Sequence, residues 1–231
     1  TKEQGVGVMA GRAVGFFKRR FFGKKARYLP SKQTLDAQRA DAAANAAGWP
    51  TISILTPLYN TPPQFLQQLL DSVQAQTAPN WQLVLVDASD VGRAVQARAA
   101  QDSRIVYAKI KNAGIAANTN EAAKLATGDY LALADHDDML APHAVYCMSK
   151  ALAESGAPFA YSDEALFEKT PEHPRVGHFK PDYAPEYLMA VNYICHLAVF
   201  KKALWDELGG ERPECDGSQD HDLFLRLLER T

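Results

Sequence analysis

Cysteine is scarce in this chain: Cys147, Cys195 and Cys215 are the only three in 231 residues. They are far apart, odd in number and form no C-x-x-C pair, which argues against a disulfide framework or a zinc knuckle. They read as reduced thiols. Long apolar runs are missing as well; no stretch of 18 or more apolar residues occurs, so no membrane-spanning helix is expected. The N-terminal apolar stretches are broken by Arg12 and Lys18-Arg19-Arg20, unlike a secretory signal. The body of the chain is therefore expected to face the cytosol. Internal repeats and low-complexity tracts are also lacking. A glycine-rich phosphate loop is absent in any usable form, because Gly5-Val6-Gly7-Val8-Met9-Ala10-Gly11 has the wrong spacing and follows no strand.

What is present belongs to an ordinary globular protein, with 47% hydrophobic and 23% charged residues. The net charge of −2 conceals an asymmetry. Residues 1–50 hold ten Lys/Arg against Glu3, Asp36 and Asp41, a charge of +7, while the remainder holds 15 basic and 24 acidic residues, a charge of −9. No acidic residue falls between Glu3 and Asp36, and Phe16-Phe17-Lys18-Arg19-Arg20-Phe21-Phe22-Gly23-Lys24-Lys25 alternates aromatics with bases. We read residues 1–48 as a basic helical arm and 49–231 as the body of the chain. Ser31 is the expected N-cap of a helix that Gly48-Trp49-Pro50 terminates. Residues 6–29 suit an anionic membrane surface, or alternatively a helix packed on protein. The acidic body and the lack of a reading module argue against nucleic acid.

Beyond Pro50 the pattern becomes regular. Strands are predicted at 51–56, 82–86, 104–108, 130–134 and 159–162, separated by helices at 62–73, 91–101, 113–126 and 142–154. Pro62-Pro63 opens the first of these helices. Such alternation predicts an α/β fold, a mostly parallel sheet covered on both faces, with ligands outside the carboxyl ends of its strands.

Acidic residues mark those ends. Asp135-His136-Asp137-Asp138 follows the fourth strand. If this segment is extended, Asp135 and Asp137 share one face and form a handle for a hard cation, Mn²⁺ or Mg²⁺, bearing a diphosphate. His136 then points away. The competing reading is a solvated acidic turn. Asp87 follows Leu83-Val84-Leu85-Val86 and suits either a base or ribose contact or a turn. Gly217-Ser218-Gln219-Asp220-His221-Asp222 leads into an amphipathic helix; Asp220 or Asp222 is either a general base or a helix-capping carboxylate. His173, His178 and His196 lack metal-ligand spacing and read as structural.

Five of these segments, in this order, resemble glycosyltransferase family 2, the inverting enzymes of the GT-A fold. Thr51-Ile52-Ser53-Ile54-Leu55-Thr56-Pro57-Leu58-Tyr59-Asn60 is similar to the family's opening strand and nucleotide loop. Val84-Leu85-Val86-Asp87-Ala88-Ser89 resembles its second strand. Asn112-Ala113-Gly114, Asn118, Asn120 and Ala126-Thr127-Gly128-Asp129-Tyr130 resemble the stretch before the metal motif. Leu133-Ala134-Asp135-His136-Asp137-Asp138 matches the D-x-D region, and Gln219-Asp220-His221-Asp222-Leu223 with Arg226 resembles the motif carrying the base. Gln219 departs from the family's usual Glu.

The resemblance implies a nucleotide-sugar site made by Pro57, Tyr59, Asn60, Asp87, Asn112, Gly114, Asn118 and Asp135. It implies a divalent cation at Asp135 and Asp137, and Asp220 as catalytic base. Further expectations are a UDP- or dTDP-linked donor, a saccharide or lipid-linked acceptor, and bacterial surface-polysaccharide or O-antigen synthesis. No Q-x-x-R-W segment is present, which implies addition of one or a few sugars. The expected location is the cytoplasm, peripheral to the inner face of the membrane. The chain reads as one module of a longer protein, and oligomerisation is left open. Rival readings are a metal-dependent nucleotidyltransferase and a catalytically silent nucleotide-sugar-binding domain.

Overall fold

The computed structural model describes residues 29–89, 92–168, 171 and 176–230. Helix α1 (Lys32–Asn45) starts at Ser31, whose Oγ accepts from the Thr34 amide at 3.2 Å. The remaining elements are β1 (Ile52–Leu58), α2 (Pro63–Gln74), β2 (Trp81–Asp87), α3 (Gly92–Ala99), β3 (Ile105–Lys109), α4 (Ile115–Lys124), β4 (Tyr130–Leu133), α5 (Ala144–Ser155) and β5 (Phe159–Tyr161). There follow β6 (Glu164–Leu166), β7 (Val176–His178), α6 (Pro185–Ala190), β8 (Ala198–Lys201), α7 (Lys202–Leu208) and α8 (Gln219–Leu228).

Six strands form one sheet in the order β3-β2-β1-β4-β8-β5. Strand β1 runs parallel to β2 and β4, and β2 parallel to β3, whereas β8 runs antiparallel to both its neighbours. The parallel half follows the predicted strands. The antiparallel insertion of β8 between β4 and β5 does not, nor does the small β6–β7 hairpin.

Two-residue periodicity distributes the strand side chains between two cores. Ile52, Ile54, Leu83, Leu85, Tyr130, Ala132 and Val199 join Leu66, Leu69 and Val73 of α2 and Val145 and Leu152 of α5 on one face. Leu55, Val84, Val86, Leu131, Leu133, Ala198 and Phe200 join Ala122 of α4, Trp205 of α7 and Leu223, Phe224 and Leu227 of α8 on the other. Strands buried on both faces account for the near-continuous apolar runs in the sequence.

Two buried polar groups of the sheet, Ser53 and Gln82, pair with each other. Ser53 donates to Gln82 Oε1 at 2.6 Å, and that oxygen also accepts from the Thr127 amide at 2.9 Å. Helix α1 lies against α5, where Asp41 accepts from Lys150 at 2.7 Å and from the Tyr146 hydroxyl, and Trp49 meets Tyr146 edge-on. Residues 1–28, including the aromatic-basic run, lie outside the described residues.

Candidate active site

Strands β1 and β4 end side by side, and their carboxyl ends open into a cleft. Its apolar lining includes Leu55, Leu133 and Ile115, and its polar lining includes Asp135, His196, Glu211 and Asp220. Elements distant in sequence therefore converge where a parallel sheet places ligands.

The acidic cluster after β4 is a turn. The Asp138 amide donates to the Asp135 carbonyl at 3.3 Å, closing residues 135–138 into a tight bend. In a bend of this kind residues i and i+3 converge, whereas i and i+2 share a face only in extended chain. The expected pairing of Asp135 with Asp137 assumed an extended segment, and the segment is a turn. Asp135, Asp138 and His196 each offer a ligand atom, all within 4.8 Å of one another. Asp137 lies outside this group, its carboxylate 4.0 Å from Nδ1 of His136.

His196 is the residue that spacing missed. It arrives from the loop before β8, with Nε2 3.3 Å from Asp135 and 3.9 Å from Asp138. Burial opposes a charge on this imidazole, but the hydrogen bond and field of Asp135, with the fields of Asp138 and Asp220, raise its pKa to about 9. The same His196 hydrogen bond, against the effect of burial, lowers that of Asp135, while burial raises that of Asp138. Two carboxylates and an imidazole form a donor set that suits Mn²⁺ or a similar divalent ion.

The loop carrying His196 is braced from below. Lys180 is 2% exposed, and its ammonium donates to the carbonyls of Ile194 and His196 and stands 3.4 Å from Glu164. Glu164 in turn accepts from the His196 amide at 3.3 Å and pairs with His178 at 2.8 Å. Ser162 Oγ accepts from the Leu197 amide at 3.3 Å.

Asp220 and Asp222 both occupy the first turn of α8, and their surroundings choose between them. Asp222 pairs with Arg226 at 2.7 Å and with Arg212 at 3.4 Å. Asp220 instead faces the cleft, with Oδ2 accepting from Asn192 Nδ2 at 2.7 Å and Oδ1 from the His221 amide at 2.8 Å. Asn192 thus orients the Asp220 carboxylate.

The other residues expected at the nucleotide lie around this centre. Pro57 lines the cleft. Tyr59 is 53% exposed on the following loop, beside Asn60, whose φ is 51°. Asp87 is completely buried off the cleft lining; Ser89 and Tyr107 donate to its two oxygens, and Lys109 is 3.6 Å away. Asn112 and Asn118 bond each other at 3.0 Å and shape the loop that enters α4. Gly114, at φ +98°, ends that loop where a Cβ would lie 2.2 Å from an Asp216 oxygen. Only glycine permits Asp216 to accept from the Ala116 amide at 3.0 Å and so cap α4 from across the molecule.

The family model described as Glycosyl transferase family 2 matches residues 53–208. The chain belongs to this family. The match stops short of Glu211 and Asp220, whose placement therefore rests on the cleft geometry. The O-antigen biosynthesis protein RfbC of Myxococcus xanthus is 34% identical over 197 residues, covering 83% of this chain and 15% of that protein. Structures of similar fold include S. aureus TarS 1–349 in complex with UDP-GlcNAc, with a TM-score of 0.61 and 15% identity over 77% of this chain and 53% of that one. The mannosyltransferase PcManGT of Pyrobaculum calidifontis, in complex with GDP-Man and Mn²⁺, matches with a TM-score of 0.54 and 18% identity over 95% of this chain and 60% of that one. These likenesses show the GT-A fold. The chain spans 15–27% of the length of three of the curated relatives it matches, RfbC among them.

Proposed function

We propose that this domain transfers a sugar from a nucleotide-diphosphate donor to a hydroxyl of a saccharide or lipid-linked acceptor, with inversion, in bacterial surface-polysaccharide synthesis. One observation carries the reading: the Asp220 carboxylate and the Asp135–Asp138–His196 group line and rim a single cleft at the carboxyl ends of β1 and β4. Family membership and the similarity to RfbC support it, as do neighbours whose structures hold UDP-GlcNAc or GDP-Man with Mn²⁺.

In this reading the acceptor oxygen attacks the anomeric carbon as the bond to the diphosphate oxygen breaks, and that electron pair leaves with the nucleoside diphosphate. Asp220 takes the acceptor hydroxyl proton, with Asn192 holding the carboxylate toward the cleft. A divalent cation held by Asp135, Asp138 and His196 would neutralise charge on the departing diphosphate. Pro57, Tyr59 and Asn60 would border the nucleotide. Residues 6–29 would hold the domain at an anionic inner membrane surface, near a lipid-linked acceptor. No helix among the described residues is long and apolar enough to cross a membrane.

Turnover of UDP-, dTDP- and GDP-linked sugars with Mn²⁺ tests the reading. Asp220→Asn is expected to lower kcat by roughly 10²–10⁴-fold while leaving donor-induced thermal stabilisation in place. Wild-type turnover by that variant would refute the assignment of the base.

A further inference from the structure

Glu211 is 3% exposed, yet its Oε2 has no hydrogen-bonding partner. It lines the same cleft as Asp135 and Asp220 but does not belong to the Asp135–Asp138–His196 group. A buried carboxyl with one oxygen unused is disfavoured unless something arrives to satisfy it.

The position of Glu211 is built with care. Asn120 of α4 clamps its backbone from both sides, donating to the Glu211 carbonyl at 2.8 Å and accepting from the Glu211 amide at 2.9 Å. That approach requires the preceding glycine, because a Cβ on Gly210 would lie 2.3 Å from the Asn120 oxygen and 3.1 Å from the Trp205 ring. Arg226, itself paired with Asp222, donates to the Gly210 carbonyl at 2.9 Å. Leu55, Leu133 and Ile115 supply the apolar part of the surrounding wall. The backbone clamp thus fixes the carboxyl in the lining of the cleft.

We propose that Glu211 determines specificity for the transferred sugar, its unpartnered oxygen forming a hydrogen bond with one ring hydroxyl of the donor hexose. The assignment rests on the glycosyl-transfer reading above. In that reading the diphosphate departs on the Asp135 side and the acceptor is deprotonated on the Asp220 side, so the sugar ring lies between them. A residue that shares the cleft with both faces the ring. A carboxyl there recognises a hydroxyl, because it can both accept from and donate to one; an apolar replacement would do neither. A site built to bond a hydroxyl rejects the analogue lacking it, since the site's own polar group is then left unpaired.

The test begins with UDP-glucose, UDP-galactose, UDP-N-acetylglucosamine, dTDP-glucose and GDP-mannose in the presence of Mn²⁺, reading turnover and thermal shift. The best donor is then compared with its monodeoxy analogues on wild-type protein, Glu211→Leu and Glu211→Gln. One monodeoxy analogue is expected to lose about 100-fold or more in kcat/KM with wild type. With Glu211→Leu, that analogue and the parent donor should differ by less than about 3-fold, while Glu211→Gln, whose amide also donates and accepts, keeps the discrimination. The thermal shift given by the nucleoside diphosphate alone should be the same in all three proteins. Should Glu211→Leu fail to fold, Glu211→Met carries the same comparison. Equal losses for every analogue in wild type and the apolar variant overturn the proposal and leave the glycosyl-transfer reading standing. A wild type that neither binds nor turns over any donor overturns that reading first, and this assignment with it.

Discussion

Asp135, Asp138, Glu211 and Asp220 bring four carboxyl groups to one small region, and their surroundings give each a different character. Asp135 is held below the ordinary carboxylate range by His196, whereas burial lifts Asp138. These two, with His196, are expected to bind the cation, and substitution separates them from Asp137. Asp138→Asn and His196→Ala should each weaken the Mn²⁺-induced thermal shift by about 10-fold or more in midpoint concentration, as expected for lost or disturbed ligands. Asp137→Asn should move it by less than about 3-fold. Glu211 provides a pH signature of its own. Burial raises its pKa from 4.5 to about 8, so between those values the folded protein keeps a proton that the unfolded chain releases. Stability from this group therefore falls as pH rises from about 4.5 to about 8. Glu211→Gln should remove that loss, melting progressively higher than wild type across the window. The expected gain is roughly 1–3 kcal/mol, or about 2–10 °C in a chain of this size.

At the scale of elements, local pattern was a good guide wherever the chain repeats itself. Helix α2 begins at Pro63, as the Pro62-Pro63 pair implied, and β1, β2 and β4 fall on their apolar runs. Strand β8 was not legible, because Ala198-Val199-Phe200-Lys201 is short and gains its partners only by inserting antiparallel between β4 and β5. The β6–β7 hairpin depends likewise on pairing rather than periodicity. Between these elements, buried Lys180 ties the His196 loop to Glu164. Lys180→Met would leave two loop carbonyls and a carboxylate without their partner, at a cost of roughly 2–4 kcal/mol. The expected drop in Tm is on the order of 10 °C. The Mn²⁺ response should weaken with it, because the loop that aims His196 loses its brace.

The whole molecule is an acidic GT-A body preceded by a basic segment, and the two halves of the charge distribution suit different tasks. If residues 6–29 bind membrane, the 231-residue chain should sediment with anionic vesicles about 10-fold or more better than with neutral ones. Removal of residues 1–30 should abolish the difference, and equal binding to both vesicle types would sink the idea. Much of the architecture was determined by sequence alone. Apolar strands alternating with amphipathic helices lead to a parallel sheet, and a parallel sheet places Asp135 at a strand end. The convergence of that end with Asp220 required the fold, as did the grouping of Asp135 with Asp138 and His196. Turn geometry sets which neighbouring carboxylates meet, and long-range packing sets which distant side chains join them; periodicity encodes neither. The free oxygen of Glu211 belongs to the same class, since only the assembled cleft shows a carboxyl buried without its full set of partners.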